Sequence, residues 1–430
     1  MGKRNGLKKC VFFKRTDLTP SEDEILNVCW EEVKWWEVDQ LNIVEETPNF
    51  KILQYNVLYD DMQNEEFSTR IFSKKRFDYI LHSLLPNSKA DVICLNEVGD
   101  TFLKRLLDEC SSTWMKTGGY NYISHVDRER FNNLPSSAVF ETMKKKDIDD
   151  SVHMTVEKGL FTNLIISKVP FLQSHNYYFQ NDLLYSRRPV NLVTLSNDIV
   201  VANLHLKAYL ECFETRKKQL KCLYSLFKIP RVAFSLHDSK STEDTAAVVE
   251  EVQASESPVT TTKKTKQKSN KSKKPNHDAS QMTEENKFTY HFLIEDSKNY
   301  PDKKEFLEIY EQRIKAVIMC GDFNLNHPFE EEYLKDYAVE DVYAQLHAEL
   351  VEKKDISTLT FDYLNNPIVN LFSTESRGRC RFDRVVLYRV KDKYHIQPQS
   401  CTVIENKPFE ADIYGSDHFG LLSQFEICKR

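Results

Sequence analysis

Five short segments of this chain set an apolar run against a carboxylate, an asparagine or a histidine: ILQYNVLYD, ADVICLNEV, VVANLHLKA, VIMCGDFNL and YGSDHFGLL. Apolar runs this short, bounded by polar residues, fit strands buried on both faces. Helical patterns lie between them. Phe77, Ile80, Leu81, Leu84 and Leu85 are spaced for one helix face, as are Phe213, Leu220, Leu223 and Phe227. Strands are expected over residues 50–55, 91–95, 161–166, 190–195, 199–205, 316–320, 382–388 and 420–427. Strands with helices interposed fold as layers, so the expected class is α+β or α/β. Each segment is expected to place its polar residues directly after a strand, where distant positions can gather at one sheet edge.

Composition narrows the function. The 430 residues are 40% hydrophobic and 29% charged, which suffices for a sizeable core. No apolar run approaches the roughly 20 residues of a membrane-spanning helix, so no membrane association is expected. The N-terminal MGKRNGLKKC is basic but lacks the apolar stretch of a signal peptide. A nuclear or cytoplasmic location, not secretion, is therefore expected. The 10 cysteines are scattered singly without a CxxC pair, which points to reduced core thiols and against a zinc site. A formal net charge of −6 lacks the basic excess of many nucleic-acid binders. An enzyme that meets phosphates with a metal and a few local cations does not need that excess.

Residues 1–47 read as an N-terminal extension. Thr19-Pro20-Ser21-Glu22 is a capping box with proline at the first helical position, and Ile25, Cys29, Val33 and Trp36 follow on one face. This predicts an amphipathic helix. Residues 48–234 and 288–430 carry the strand and helix pattern as two halves of one domain. Between them, residues 235–287 are poor in large apolar groups, and a block of Lys263, Lys264, Lys266, Lys268, Lys271, Lys273 and Lys274 follows an acidic stretch. Such a segment cannot bury enough surface to offset its ordering entropy, so a disordered insertion is expected. Residues 20–38 and this lysine-rich insertion are the candidate contact points for a protein partner.

Phosphodiester hydrolysis makes specific demands. A metal must neutralise charge on the phosphate and leaving oxygens. One group must orient or deprotonate the attacking water, and donors must meet the charge that grows in the transition state. Mg2+ takes one or two carboxylates and keeps several waters. Isolated acids, Asn and His at strand ends are that donor set. Glu97 stands out, because a carboxylate at the end of the apolar DVICL run needs a partner.

In this order the segments resemble the endonuclease/exonuclease/phosphatase superfamily, with its DNase-I-like fold. Its hallmarks are an Asn after the first strand, a Gln-Glu pair (here Asn96-Glu97), a strand-end His, Gly-Asp-x-Asn and a terminal Ser-Asp-His. The likeness implies a four-layered α/β sandwich, two packed mixed sheets flanked by helices, with one site at their shared edge. It implies that Glu97 ligates Mg2+, with Mn2+ as the alternative ion, and that Asn56 and Asp417 complete the shell. Asp322 would orient or deprotonate the water. Asn324 and His205 would hold phosphate oxygens. His418 would stabilise transition-state charge, with Asp383 of RCRFDRVVLY fixing its tautomer.

RCRFDRVVLY, preceded by LTFDYLNNP, resembles the 5′-tyrosyl-DNA phosphodiesterase branch. That implies a nucleic-acid partner, a DNA 5′ end, and work in DNA repair. It also implies that Phe361 stands at an aromatic wall near the nucleotide and that Arg187 or Arg188 of YSRRP faces phosphate. HLKAYLECFETRKKQL, with Arg216 and Gln219, is similar too. The front of the domain departs from this branch, because Leu58 stands where the branch has an acid. YNVLYD, ADVICLNEV and SDHFGLLSQFEI instead resemble the poly(A)-deadenylase branch, which implies an RNA 3′ end. A lipid or inositol phosphatase fits RFDRV less well. A non-catalytic scaffold of the same fold would not need Glu97, Asp322, Asn324, Asp417 and His418 together.

Overall fold

The computed structural model describes residues 12–15, 30–32, 49–59, 65–125, 162–179, 189–232, 292–294, 310–326, 328–371, 378–391 and 394–429. The chain divides into one compact unit of Met1–Val232 with His291–Arg430 and another of Ala233–Tyr290. The second unit, and with it the expected insertion, lies outside the described residues.

In the first unit, β1 (Phe12–Arg15), β2 (Trp30–Glu32), β3 (Asn49–Asn56), β4 (Val92–Val98), β5 (Tyr122–His125) and β6 (Thr162–Ser167) enter one sheet. A second sheet takes β7 (Phe171–Phe179), β8 (Pro189–Leu195), β9 (Ile199–His205), β10 (Phe292–Ile294), β11 (Ala316–Asp322) and β12 (Glu340–Asp341). β13 (Phe361–Asp362) and β14 (Arg379–Cys380) form a separate ribbon. β15 (Asp383–Arg389) joins the second sheet, and β16 (Tyr394–Ile404) and β17 (Gly420–Lys429) complete the first. The strand orders are β16-β17-β3-β4-β6-β5-β1-β2 and β10-β7-β8-β9-β11-β15-β12. Both sheets are mixed, since β3 runs parallel to β4 and β9 parallel to β11 while their other neighbours are antiparallel.

Strand alternation builds the layers. Phe50 and Ile52 of β3 pack with Val201 of β9 and Ile318 of β11 between the sheets. Leu53 and Tyr55 point the other way, against Phe77, Leu81 and Phe102 of the helical segments that follow β3 and β4. On the far side, Val200 and Val317 meet Leu220, Leu223 and Phe227 around the helix Phe213–Leu226. The order is helix, sheet, sheet, helix, the sandwich that the sequence led us to expect. Each fully buried Val, Leu, Ile or Phe stabilises the fold by about 1.5–3 kcal/mol, more than a buried amide returns after hydrogen bonding. The apolar part of these layers therefore carries the stability. Among the described residues no helix is long and apolar enough to cross a membrane.

The N-terminal extension departs from expectation. Trp30–Glu32 falls inside the expected helix but is a strand, paired antiparallel with Phe12–Arg15, which in turn pairs with Tyr122–His125. A bare sheet edge offers a row of unpaired backbone groups, and this ladder satisfies them with a Trp-bearing segment suited to a strand. The rest of residues 20–38 lies outside the described residues.

Candidate active site

The inward positions of the central strands change from apolar to polar at one end. β3 reads Phe50, Ile52, Gln54, Asn56; β9 reads Ile199, Val201, Asn203, His205; β11 reads Ile318, Cys320, Asp322. β15 is antiparallel to β11, with Asp383 opposite Asp322, so its first residue joins the last of its neighbour. β17 is antiparallel to β3, with Leu421 opposite Gln54. Asp417 and His418 therefore reach this edge by preceding a strand, which corrects the expectation that every motif follows one.

Glu97, His205 and Asp322 converge, with one potential ligand atom from each lying within 4.8 Å of the others. His205 Nε2 is 3.4 Å from Asp322 Oδ2 and 3.7 Å from Glu97 Oε1. Asn56 Nδ2 donates to Glu97 Oε1 at 3.2 Å and to Asp322 Oδ2 at 3.3 Å. The Tyr59 N–H donates to Glu97 Oε2 at 3.2 Å. Carboxylates gathered this closely, one of them buried, repel each other unless a cation joins them. Carboxylate oxygens suit Mg2+ or Mn2+, so the residues present fit that ion. Asp322 and His205 stand with Glu97 and Asn56, and the Asp417 carboxylate acts on the neighbouring His418 imidazole.

Backbone geometry aims these groups. Leu58, Glu97 and Asn324 have φ of 58°, 57° and 52°, in the left-handed region that costs a non-glycine residue about 1–3 kcal/mol. They sit at or just past the ends of β3, β4 and β11. The pairing of β4 with β6 shifts register between Leu95 and Val98. Such a bulge re-aims side chains, and consecutive Asn96 and Glu97 both meet inward partners. Gly321 has φ 136°, and a Cβ there would lie 1.9 Å from the Leu204 carbonyl oxygen, so glycine is required where β9 and β11 touch.

Beside the cluster, His418 Nδ1 is 2.8 Å from Asp383 Oδ2, and His418 Nε2 is 3.8 Å from Asp322 Oδ2. Burial alone would lower the His418 pKa. The carboxylates of Asp383, Asp417 and Asp322 outweigh it and hold that pKa well above the ordinary value. Asp383 is not a surface partner of its flanking arginines, because Arg381 pairs with Asp341, and Arg384 with Glu331 and Asp341. The Asn324 N–H donates to Asp322 Oδ1 at 2.9 Å, and its side-chain amide donates to the Leu206 carbonyl at 3.1 Å. The Phe361 ring lies 5.1 Å from His418 and 5.0 Å from Phe382. It is buried and packs on the imidazole. Arg187 and Arg188 lie outside the described residues.

Two buried arginines escaped the sequence reading as struts. Arg76 donates to the carbonyls of Ile71, Val57, Leu58 and Gly415, which ties the segment after β3 to the loop bearing Asp417 and His418. Arg216 donates to the carbonyls of Lys207 and Tyr209, to Asn326 Oδ1 and to the Glu330 carboxylate. It thereby ties the segment after β9 to the one after β11. In the sequence Arg76 follows two lysines and reads as a solvated face. By contrast, Gln54, Asn163 and Asn203 interrupt apolar runs at inward positions, and that signal was there to be used.

Residues 53–418 match the Endonuclease/Exonuclease/phosphatase family. The chain belongs to that family, and it is accordingly a metal-dependent hydrolase of phosphoester bonds. No curated protein matches it by sequence. Among solved structures it is similar to D. rerio TDP2 in complex with a single-strand DNA product, at 17% identity over 88% of this chain and 99% of that one, with a TM-score of 0.49. TDP2 from C. elegans is 14% identical over 91% of this chain and 80% of that one, TM-score 0.46. The human Nocturnin catalytic domain with bound sulfate is 12% identical over 89% and 95%, TM-score 0.43.

Proposed function

We propose that this enzyme hydrolyses nucleic-acid phosphodiesters with Mg2+, or Mn2+ in its place, and that it acts on DNA 5′ ends in the manner of a 5′-tyrosyl-DNA phosphodiesterase in DNA repair. The observation that carries the chemistry is the Glu97, His205 and Asp322 cluster beside the Asp383–His418 pair. Glu97 and Asn56 would hold the ion, with Asp417 nearby, and when bound the ion would neutralise phosphate and leaving-oxygen charge. Asp322 orients or deprotonates the water. His205 and Asn324 hold phosphate oxygens. His418, kept protonated by its carboxylate neighbours, donates to the charge that grows in the transition state. The choice of DNA ends rests on RFDRV and on Phe361 against His418, with Arg187 or Arg188 as phosphate contacts.

One residue favours a second reading. Leu58 stands where the tyrosyl branch carries an acid, and the surrounding YNVLYD fits an RNA 3′-exonuclease that removes poly(A). The purified chain, with Mg2+, should be given 5′-phosphotyrosyl DNA and an oligo(A) RNA side by side. Release of tyrosine is expected to be faster. Faster release of AMP overturns the DNA-end reading, and inertness toward both removes the nucleic-acid reading altogether.

A further inference from the structure

Gln54 is fully buried on the inward face of β3, and no step proposed above uses it. Its Nε2 donates to Asp383 Oδ1 at 2.7 Å and lies 3.3 Å from Asn96 Oδ1. That same Asn96 oxygen accepts from the Asp322 N–H at 3.1 Å. Asn96 Nδ2 donates to Asn203 Oδ1 and the Leu204 carbonyl, both at 2.8 Å. Gln54 and Asn96 belong to the first sheet; Asp383, Asp322, Asn203 and Leu204 belong to the second. Two neighbouring amides therefore bridge the sheets directly beneath the site.

Charge dictates how the Gln54 amide is turned. Reversed, its carbonyl would face the Asp383 carboxylate, acceptor against acceptor. The chosen orientation has a cost, because Gln54 Oε1 is buried with no hydrogen-bond partner among the described residues. An orphaned buried carbonyl is destabilising, and an apolar side chain of equal length would avoid it. The amide is thus accounted for by what it holds rather than by core stability.

We infer that Gln54 is a positioning residue for the Asp383–His418 pair and acts jointly with Asn96, which aligns Asp322. The inference rests on the phosphoester chemistry proposed above. Asp383 has one oxygen on Gln54 and the other on His418, while its N–H donates to the Thr360 hydroxyl at 2.9 Å. Without Gln54 the carboxylate can rotate about its own side chain and take the imidazole with it. The longer amide stands at 54 and the shorter at 96, where the resembled family has Gln. Each reaches across to the second sheet, and the two are themselves 3.3 Å apart, so a change of length in one can be met by the other.

The test uses the full chain and the variants Gln54→Met, Gln54→Asn, Asn96→Gln and the exchange Gln54→Asn/Asn96→Gln. Gln54→Met is expected to lower kcat about 10–100-fold with KM nearly unchanged. Each shortened or lengthened single variant also loses kcat, and the exchange variant recovers most of it. A second readout does not need turnover: the low-field Nδ1 proton of His418, assigned by its loss in Asp383→Asn, should shift in Gln54→Met and return in the exchange variant. A merely structural Gln54 would move the melting temperature and leave kcat and that proton alone. Wild-type kcat with an unmoved proton in Gln54→Met overturns the inference. An exchange variant no better than the product of its singles removes Asn96 from it. If the wild type hydrolyses no phosphoester, the reaction reading fails, while the proton still decides what positions His418.

Discussion

His418 and Asp383 meet at 2.8 Å across the seam between the two sheets. His418 leads into β17 of the first sheet, and Asp383 opens β15 of the second. The pair exists only while the sheets are packed in register, so the apolar core between them sets the geometry of the chemistry at its edge.

That pair fixes a pH response. Burial lowers the His418 pKa, but the carboxylates of Asp383, Asp417 and Asp322 override it and leave the folded value well above the unfolded one. A raised folded pKa stabilises the protein fully below the unfolded value, and that contribution is lost as pH rises through the folded value. Asp383→Asn removes the largest of the attractions that raise it, so the pKa falls. The alkaline limb of kcat, measured at saturating Mg2+, should move to lower pH in Asp383→Asn. A limb that stays in place assigns it to a group other than His418.

Asp322→Ala should stay folded yet lose roughly 10²–10⁴-fold in kcat, the range for a positioned acid or base. Its carboxylate sits close to Glu97, so removing it relieves a repulsion that offsets the lost hydrogen bonds from Asn56 and the Asn324 N–H, and the melting temperature should not fall much. Near-normal turnover in this variant would take Asp322 out of the mechanism.

EDTA should silence the enzyme, and Mg2+ or Mn2+ should restore it. A ligand that binds only the folded state also raises the melting temperature as its concentration grows. Thermal shift against Mg2+ should therefore show a rise in the wild type that Glu97→Gln loses. An equal rise in both would place the ion elsewhere.

Arg216→Met should destabilise the fold by roughly 3–5 kcal/mol, because it leaves the buried Glu330 carboxylate without its guanidinium. Urea unfolding of Arg216→Met, Glu330→Leu and the double variant checks this. The double variant should be less destabilised than the sum of the singles. Strict additivity would mean that the two side chains are not coupled.

Much of the site was legible because strand chemistry is local. Asn56, Glu97, His205 and Asp322 terminate apolar runs, and a polar residue closing a buried strand is conspicuous at any position in the chain. How these side chains converge was not legible. It depends on the bulge at Asn96-Glu97 and on left-handed turns at Leu58 and Asn324, and ordinary strand alternation would have turned Glu97 away. The strand at Trp30–Glu32 was missed for a related reason. Its helical spacing is a local signal, whereas the edge of β5 with which its partner pairs is a property of the assembled sheet.

The order of apolar runs and their polar terminators by itself pointed to a layered α/β fold, and the resemblance those motifs carry pointed to the family and to the candidate residues at the sheet edge. Only tertiary structure decided how they combine: Asp322 and His205 with Glu97, Asp383 with His418, and Gln54 with Asn96 between the sheets. The reason is physical. Strand formation and burial follow from neighbours a few residues apart, whereas hydrogen bonds and repulsion between carboxylates act over a few ångströms among positions hundreds of residues distant, which only the packing of one sheet on another brings within reach.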